Sequence, residues 1–235
     1  MQTETRLKPS HTPAMAVVTT LFFMWGFLTC LNDILVPHLK GVFELSYLQA
    51  ALIQFTFFSA YFVMSLPSGK IIASVGYKKG IVIGLVTAGI GSLMFYPAAA
   101  VPSYPLFLAA LFVLASGITL LQVAANPYVA VLGSSETASS RLNLTQAFNS
   151  LGTTIAPYFG GLVILSAVVT DLSKLSPEQL TAYKLAEAAS VKIPYLGLAA
   201  ALFVLAGAIA QFNLPKIETV EGGDATFMET IKVPH

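Results

Sequence analysis

The chain has 235 residues, of which 56% are hydrophobic and only 10% are charged, and its formal net charge is +1. Soluble domains usually carry about 25% charged residues, so this composition excludes an ordinary soluble domain, and the near-zero charge gives no electrostatic basis for binding nucleic acid. The apolar residues fall into six long stretches, at about 15–37, 47–70, 79–98, 104–132, 143–168 and 193–214.

Each stretch is long enough to cross a bilayer as a helix, which needs about 20 mostly apolar residues. The stretches are continuously apolar and lack the alternation of membrane barrel strands. The sequence therefore predicts an all-α membrane protein with six transmembrane helices. Its parts are a cytoplasmic N-terminal tail at 1–14, a six-helix bundle at 15–214 and a cytoplasmic linker at 215–235, which we expect to be truncated.

The first span contains Asp33, the one carboxylate among the predicted spans. A charged group inside a bilayer costs roughly 3 kcal/mol, so such residues usually face a cavity and often handle protons or ions. The alternative is that Asp33 is solvated near the membrane surface, since Pro37, His38 and Lys40 follow it closely. We favour a functional role for Asp33 in proton or cation coupling.

Trp25, Thr29 and Asn32 lie on one face of the first span, and Asp33 borders that face. An aromatic ring beside amide and carboxylate groups suits a sugar, because the ring stacks on its C–H face and the polar groups bind its hydroxyls. An interfacial or packing role fits Trp25 equally well.

Amide side chains recur in the second, fourth and fifth spans. Buried amides must find partners, so they either pair between helices or line a wet cavity that binds a polar solute. Because several spans carry amides and the first span also carries Asp33, a polar path through the bundle is credible. The predicted substrate-binding residues are Trp25, Asn32, Gln54, Gln122, Asn126, Gln146 and Asn149.

Small residues predict close helix packing in the fifth span, where Gly152, Ala156 and Gly160 are four residues apart. Asn126 and Pro127 predict a tilt or kink in the long fourth span, because proline removes one backbone hydrogen bond. Ordinary packing of a bundle explains both features.

The segment after the second span predicts a tight turn with cationic anchors, formed by Gly69, Gly76, Lys78 and Lys79. If the N-terminus is cytoplasmic, eight of the 12 basic residues lie on the cytoplasmic side. Cytoplasmic loops carry the excess of Lys and Arg. The sequence therefore predicts a multi-pass protein of the inner membrane with both termini in the cytoplasm.

Three stretches now support a resemblance: LFFMWGFLTCLNDILVPHLK (21–40), LLQVAANPYVAVLG (120–133) and SRLNLTQAFNSLGTTIAP (140–157). From about residue 20 to 215, the chain resembles the N-terminal half of a major facilitator superfamily sugar transporter. It is most similar to the fucose permease and glucose/galactose transporter family, and the second and third stretches resemble the glucose/galactose branch.

The resemblance implies twelve helices in two six-helix bundles, with substrate between them, alternating access and proton-driven symport. Each bundle would be an inverted 3+3 repeat. Asp33 matches the family's coupling aspartate, whereas Gln122 stands where the fucose permease has a glutamate. Gln146 and Asn149 match a QxFN motif expected to face the cavity near the sugar.

The turn at 69–79 resembles the superfamily's signature loop, which implies a gating role for Gly69, Gly76, Lys78 and Lys79. It departs from the family pattern at Ala73 and Tyr77, where an aspartate and an arginine are usual. The familiar gating ion pair therefore does not carry over to this chain.

The expected function is secondary transport of a hexose by symport with a cation, H+ or alternatively Na+, without an enzymatic activity or a cofactor. The expected partners are a sugar, the lipid bilayer and a missing C-terminal six-helix half. The alternative is a non-transporting fragment or a membrane sugar sensor, and a channel or structural bundle is a third class.

Overall fold

The computed structural model describes residues 12–163 and 175–212, apart from the side chains of Thr12 and Val42. Within these ranges the chain forms helices joined by short turns and contains no strand. The predicted all-α fold is therefore confirmed. The helices are α1 (Thr12–Phe43), α2 (Tyr47–Val75), α3 (Tyr77–Ala100), α4 (Tyr104–Val131), α5 (Ala138–Val163), α6 (Pro177–Ser190) and α7 (Lys192–Gln211), with a 3-10 turn at Ser135–Thr137 between α4 and α5.

Helix α1 is longer than the sequence predicts, because it begins at Thr12 and continues through Pro37 to Phe43. The predicted span at about 15–37 lies within this helix. Leu35 and Leu39 flank the proline and are fully buried. Burial of leucines on both sides of the proline stabilises the continuous helix, which offsets the backbone hydrogen bond that the proline removes.

Helix α6 lies where the sequence predicts a loop between the fifth and sixth spans. The Ser176 hydroxyl accepts a hydrogen bond from the Gln179 backbone N–H, and the Gln179 side chain accepts one from the Ser176 N–H, at 3.3 and 2.9 Å. This reciprocal capping box starts a helix. Residues 177–190, between the predicted fifth and sixth spans, therefore form a helix.

Five stretches of the described chain are long and apolar enough to cross a membrane: Pro13–Gly41, Tyr47–Val75, Tyr77–Ala100, Tyr104–Val131 and Pro177–Gln211. Helix α5 has 26 residues, enough for a span, but its first half carries Arg141 and several amides. The end of the predicted fifth span at 164–168, residues 1–11 of the predicted tail and the predicted linker lie outside the described residues.

Helices α3 and α4 approach each other at backbone distance through glycines. A Cβ atom on Gly84 would lie 2.9 Å from the Leu121 backbone nitrogen, and one on Gly117 would lie 2.6 Å from the Gly84 carbonyl oxygen. Both distances are too short for real side chains. The glycines therefore permit this packing, as small residues do in membrane helices.

Helices α1 and α5 meet in the same way. A Cβ atom on Gly152 would lie 2.9 Å from the Phe27 backbone nitrogen, and one on Gly160 would lie 2.8 Å from the Ile34 side chain. Ala156, between these glycines, is fully buried. The predicted packing face of the fifth span is confirmed.

Two of the helix pairs agree with an internal repeat. Helix α1 packs mainly on α5, and α2 packs mainly on α4. If α1, α2 and α3 form one unit and α4, α5 and α7 form the second, these two pairs are equivalent. This pairing agrees with the predicted half-bundle of two three-helix units.

Helices α2 and α5 expose many large apolar side chains, and we call the surface of these two helices the open side of the bundle. On α2 the most exposed include Leu48, Phe55, Phe62 and Leu66, and on α5 they include Leu144, Leu151, Tyr158 and Leu162.

Candidate functional site

Asp33 sits in a hydrogen-bonded chain that joins α1 to α2. Gln54 of α2 donates from Nε2 to Asp33 Oδ1 at 2.8 Å, and its Oε1 accepts from Asn32 Nδ2 at 3.3 Å. Asn32 is buried, with 1% of its surface exposed, whereas Asp33 is exposed. Two adjacent residues of α1 thus hold both ends of one amide on α2.

Asn32 and Asp33 have different surroundings because the side chains of neighbouring helix residues point about 100° apart. Asn32 therefore turns into the α1–α2 contact while Asp33 stays on its open edge. The amide of Gln54 provides the hydrogen-bond donor that an ionised carboxylate needs, since a carboxylate only accepts.

A second polar cluster lies one turn earlier on α1. Gln122 of α4 donates from Nε2 to the Tyr61 hydroxyl of α2 at 2.9 Å, and the side chains of Trp25 and Thr29 lie beside the same hydroxyl. Thr29 also donates to the Trp25 carbonyl oxygen at 2.9 Å. Three helices therefore meet at one half-buried hydroxyl.

Tyr61 is absent from the predicted binding residues, although it is the centre of this second cluster. Its signal in the sequence is its spacing of seven residues from Gln54, which puts both on one face of α2. Trp25 also packs edge-on against Phe22, with ring centroids 5.4 Å apart. Its half-buried ring thus has both an aromatic and a polar neighbour.

The predicted amides of α4 and α5 have different surroundings. Asn126 is half-buried one turn beyond Gln122, and Gln146 is exposed on α5. Asn149 donates from Nδ2 to the Phe22 carbonyl oxygen of α1 at 3.0 Å. Asn149 therefore links two helices, which is one of the two roles that the sequence left open for it.

These contacts make a polar row along α1. It starts at the Phe22 carbonyl oxygen beside Asn149, continues through Trp25 and Thr29, and ends at Asn32 and Asp33. Chemically the row offers neutral donors and acceptors, an aromatic ring and one carboxylate. That combination matches a hydroxyl-rich neutral solute and a small cation.

The predicted gating turn is shorter than 69–79. Gly69 lies inside α2, and the helix ends only at Gly76, whose φ of +81° lies in the left-handed region that favours glycine. Lys78 donates to the Ala210 carbonyl oxygen at the end of α7 at 2.8 Å, and Lys79 is exposed. Gly76 and Lys78 thus lie close together at the turn between α2 and α3, whereas Gly69 lies within α2.

Tyr77 shows what replaces the usual arginine in this turn. Its ring lies 6.2 Å from the ring of Tyr128 on α4. An aromatic contact between α3 and α4 therefore occupies the position where the family resemblance implied a charged residue.

Two polar contacts at the other end of α1 are absent from the sequence prediction. His38 lies 3.4 Å from the Glu187 carboxylate of α6, and Lys184 pairs with Glu44 at 2.5 Å. The missed signal is the capping box that starts α6, because only a helix brings Lys184 and Glu187 onto one face.

Residues 15–171 match the family model described as Major Facilitator Superfamily. The chain is 56% identical over 221 residues to the glucose/galactose transporter of Brucella abortus, covering 94% of this chain and 51% of that protein. It is 40% identical over 220 residues to the L-fucose-proton symporter of Escherichia coli, covering 92% of this chain and 50% of that protein.

The fold is also similar to a solved structure. The crystal structure of the major facilitator superfamily transporter FucP in the outward conformation matches with a TM-score of 0.81 and 38% identity, covering 94% of this chain and 55% of that one. The chain spans about half the length of the curated relatives it matches.

Proposed function

This chain belongs to the major facilitator superfamily, a family of transporters and not of enzymes, and we propose that it is the N-terminal half of a hexose symporter driven by protons. The observation that carries the proposal is the polar row along α1, in which an exposed carboxylate lies one turn from a cluster of neutral donors and acceptors. The names of the relatives favour the same substrate class and H+ as the coupling ion.

The sugar site in this proposal is the cluster around Tyr61. Its hydroxyl and the Gln122 amide bind sugar hydroxyls, and the Trp25 ring stacks on the C–H face of the sugar. Asn126, one turn further on α4, extends the site, as does Gln146, which is exposed toward the open side. Neutral groups suit a neutral sugar, because a buried charge without a partner costs more than it contributes.

Asp33 is the coupling group in this proposal. Protonated, it is neutral and tolerated in the membrane; ionised, it costs roughly 3 kcal/mol at membrane depth. That difference biases the two conformations of a carrier, provided that Asp33 faces opposite sides of the membrane in each. With glutamine at position 122, helices α1 to α5 and α7 carry no carboxylate besides Asp33 that could complete a two-acid relay.

The partner in this proposal is a second six-helix bundle that covers the open side. The exposed apolar faces of α2 and α5 support this, since they flank the polar row instead of lying on the α3–α4 side. The turn between α2 and α3, at Gly76, Lys78 and Lys79, is the gating element of the proposal. Gly69 contributes only as part of α2.

The proposed location of the protein is the inner membrane, with both chain ends in the cytoplasm. Lys78 and Lys79 follow α2, and Arg141 follows α4, so basic residues occupy the same side of the bundle. Short loops with Lys and Arg stay in the cytoplasm.

The first test is sugar uptake by vesicles containing this chain alone, then this chain with the C-terminal half of the B. abortus transporter. We expect uptake of glucose, galactose or fucose only with the partner, because one bundle forms only one wall of a cavity. Uptake by the chain alone would contradict the half-transporter proposal. Saturable sugar binding without any uptake in the pair would favour the sensor.

The second test is Asp33→Asn in the complemented pair. We expect it to abolish uphill accumulation and to leave sugar exchange, because exchange needs no net movement of a proton. The matched control is Glu136→Gln, an exposed acid in the turn before α5, which should accumulate sugar normally. Normal accumulation by Asp33→Asn would remove Asp33 from coupling, and accumulation that follows a Na+ gradient without a pH gradient would identify Na+ as the ion.

A further inference from the structure

The hydrogen-bonded chain Asn32–Gln54–Asp33 is one of the polar bridges between two helix pairs. Helix α1 packs mainly on α5, α2 packs mainly on α4, and α1 and α2 touch each other much less. Both functional groups of the Gln54 amide are engaged by α1, one by Asp33 and one by Asn32. A change in these two bonds therefore acts where the two pairs join.

The ionised carboxylate of Asp33 sets the direction of both hydrogen bonds between Asn32, Gln54 and Asp33. A carboxylate only accepts, so Gln54 must present its NH2 group to Asp33. Its carbonyl oxygen then faces Asn32, which must present its own NH2 group. Asn32 Oδ1 is left buried without a hydrogen-bond partner among the described residues, which is costly for a buried acceptor.

Protonation of Asp33 removes that requirement. A protonated carboxyl group carries an O–H donor beside its remaining acceptor, and this O–H can donate to Gln54 Oε1 after the amide has rotated by 180°. Gln54 Nε2 then faces Asn32, whose Oδ1 accepts once the second amide has rotated as well. The buried oxygen gains a donor, while the Asn32 nitrogen gives up Gln54.

We propose that Gln54 is a positioning residue that transmits the protonation state of Asp33 to the buried Asn32, by reversing both hydrogen bonds when Asp33 binds a proton. This role rests on the proposed function, since it takes Asp33 as the coupling group. It replaces direct sugar binding as the role of Gln54 and Asn32. The proton stays on Asp33, and the two amides only rotate.

Reversal also changes how firmly α2 is held on α1. The bond from Gln54 to an ionised Asp33 is charge-assisted, and such bonds are roughly twice as strong as neutral ones. Proton binding replaces it with a neutral bond. The ionised state therefore holds the two helix pairs together more firmly, and the protonated state lets them separate more easily.

No other charge competes for this carboxylate in the helices nearest to it. Asp33 makes no ion pair within residues 12–163 and 175–212. Helix α2 carries no charged side chain before Lys70, and α4 carries none. On α1, Cys30 is the titratable group that interacts with Asp33, and His38 faces Glu187 of α6. The Gln54 amide is thus the hydrogen-bond donor that distinguishes the two states of Asp33.

The test is infrared difference spectroscopy between acidic and alkaline pH, on the purified full chain in lipid vesicles without sugar. Glutamine is labelled with 13C at the side-chain carbonyl, so that comparison with unlabelled protein identifies glutamine bands. We expect a glutamine carbonyl band to shift in step with the appearance of the protonated Asp33 carboxyl band, because Gln54 Oε1 exchanges an amide donor for an O–H donor.

Three variants decide the assignment. Gln54→Met, similar in length but without hydrogen bonds, should lose the glutamine shift and keep the carboxyl band. Asp33→Asn should lose both, and its preserved shape keeps the test valid even if Gln54→Met fails to fold. Gln211→Met is the matched control and should keep both, because Gln211 is an exposed glutamine at the end of α7.

Two results would overturn the proposal, and they differ in what else they affect. A carboxyl band of Asp33 without a glutamine shift, or with a shift that survives in Gln54→Met, rejects the reversal but leaves the proposed transport function intact. If no Asp33 carboxyl band appears at any pH, Asp33 does not bind a proton, and its coupling role fails with the reversal.

Discussion

The α3–α4 side and the α1–α2 side of the bundle use opposite means to hold helices together. At α3–α4, Gly84, Gly91 and Gly117 let backbones touch, and the surrounding side chains are apolar and buried. At α1–α2 the packing is sparse, and amides, a hydroxyl and a carboxylate make the connection. The first interface is a rigid frame, whereas the second can change its bonds without losing packed surface.

This contrast has an energetic basis. Dispersion and close fit depend on position to a few tenths of an ångström, so a glycine-packed interface has essentially one arrangement. A hydrogen bond between amides contributes about 0.5–1.5 kcal/mol net and can be exchanged for another bond of similar strength. In a carrier that changes conformation, the exchange of hydrogen bonds is therefore expected in the polar row.

The largest expected effect is on the frame. Gly117→Ala puts a Cβ atom against the backbone of α3, so the helices must separate, and overpacking of this kind costs about 3 kcal/mol or a little less. Thermal unfolding in detergent, followed by helical circular dichroism, measures the loss. Gly197→Ala is the matched control, because nothing lies within 4 Å of a Cβ atom there. Equal stability of the two variants would mean that α3 and α4 are not packed by their glycines.

A smaller loss is expected at the junction of the two sides. Arg141 at the start of α5 donates to the Val129, Ala130 and Ser134 carbonyl oxygens and thereby caps the end of α4. Arg141→Met should lower the free energy of unfolding by about 2 kcal/mol, the usual range for hydrogen bonds to a charged group.

Arg141→Lys separates charge from geometry in that experiment. Lysine keeps the charge but cannot reproduce the planar fork of the guanidinium group, so most of the loss should remain. Recovery of wild-type stability by lysine would show that charge at the end of α4 is sufficient, and the fork would then have no role.

The smallest effect on stability, and a clear one on binding, is expected in the polar row. Tyr61→Phe removes the hydroxyl that Gln122 donates to, which should weaken sugar binding by the complemented pair about 3- to 10-fold, as the loss of one hydrogen bond does. Equilibrium binding of labelled sugar measures this.

Tyr96→Phe is the matched control for Tyr61→Phe. Tyr96 lies on α3, half exposed, and its ring faces the Lys192 ammonium group at 5.8 Å, a contact that phenylalanine keeps. Unchanged affinity in Tyr61→Phe, or an equal loss in Tyr96→Phe, would remove the Tyr61 cluster from the sugar site.

Much of the site could be predicted from the sequence because membranes restrict polar residues so strongly. Asp33, Gln54 and Gln122 are polar residues in apolar spans. Asp33 lies in the polar row along α1, and Gln54 and Gln122 belong to the two hydrogen-bonded clusters beside it. The partners could not be predicted, since Gln54 and Asp33 are 21 residues apart and meet only through the packing of α1 on α2. Tyr61 is similar: its phenol fits an apolar span, so only its contacts identify it.

By itself the sequence determined the membrane class, the order of the spans and the polar residues available to a site. These follow from local physics, because hydrocarbon requires long apolar helices and makes every amide costly. The tertiary structure alone decided that Asn149 links α1 to α5, that Asn32 and Gln54 bond to each other and to Asp33, and that α6 docks against the end of α1. Those pairings depend on which helices are neighbours, and that depends on packing between residues far apart in the chain.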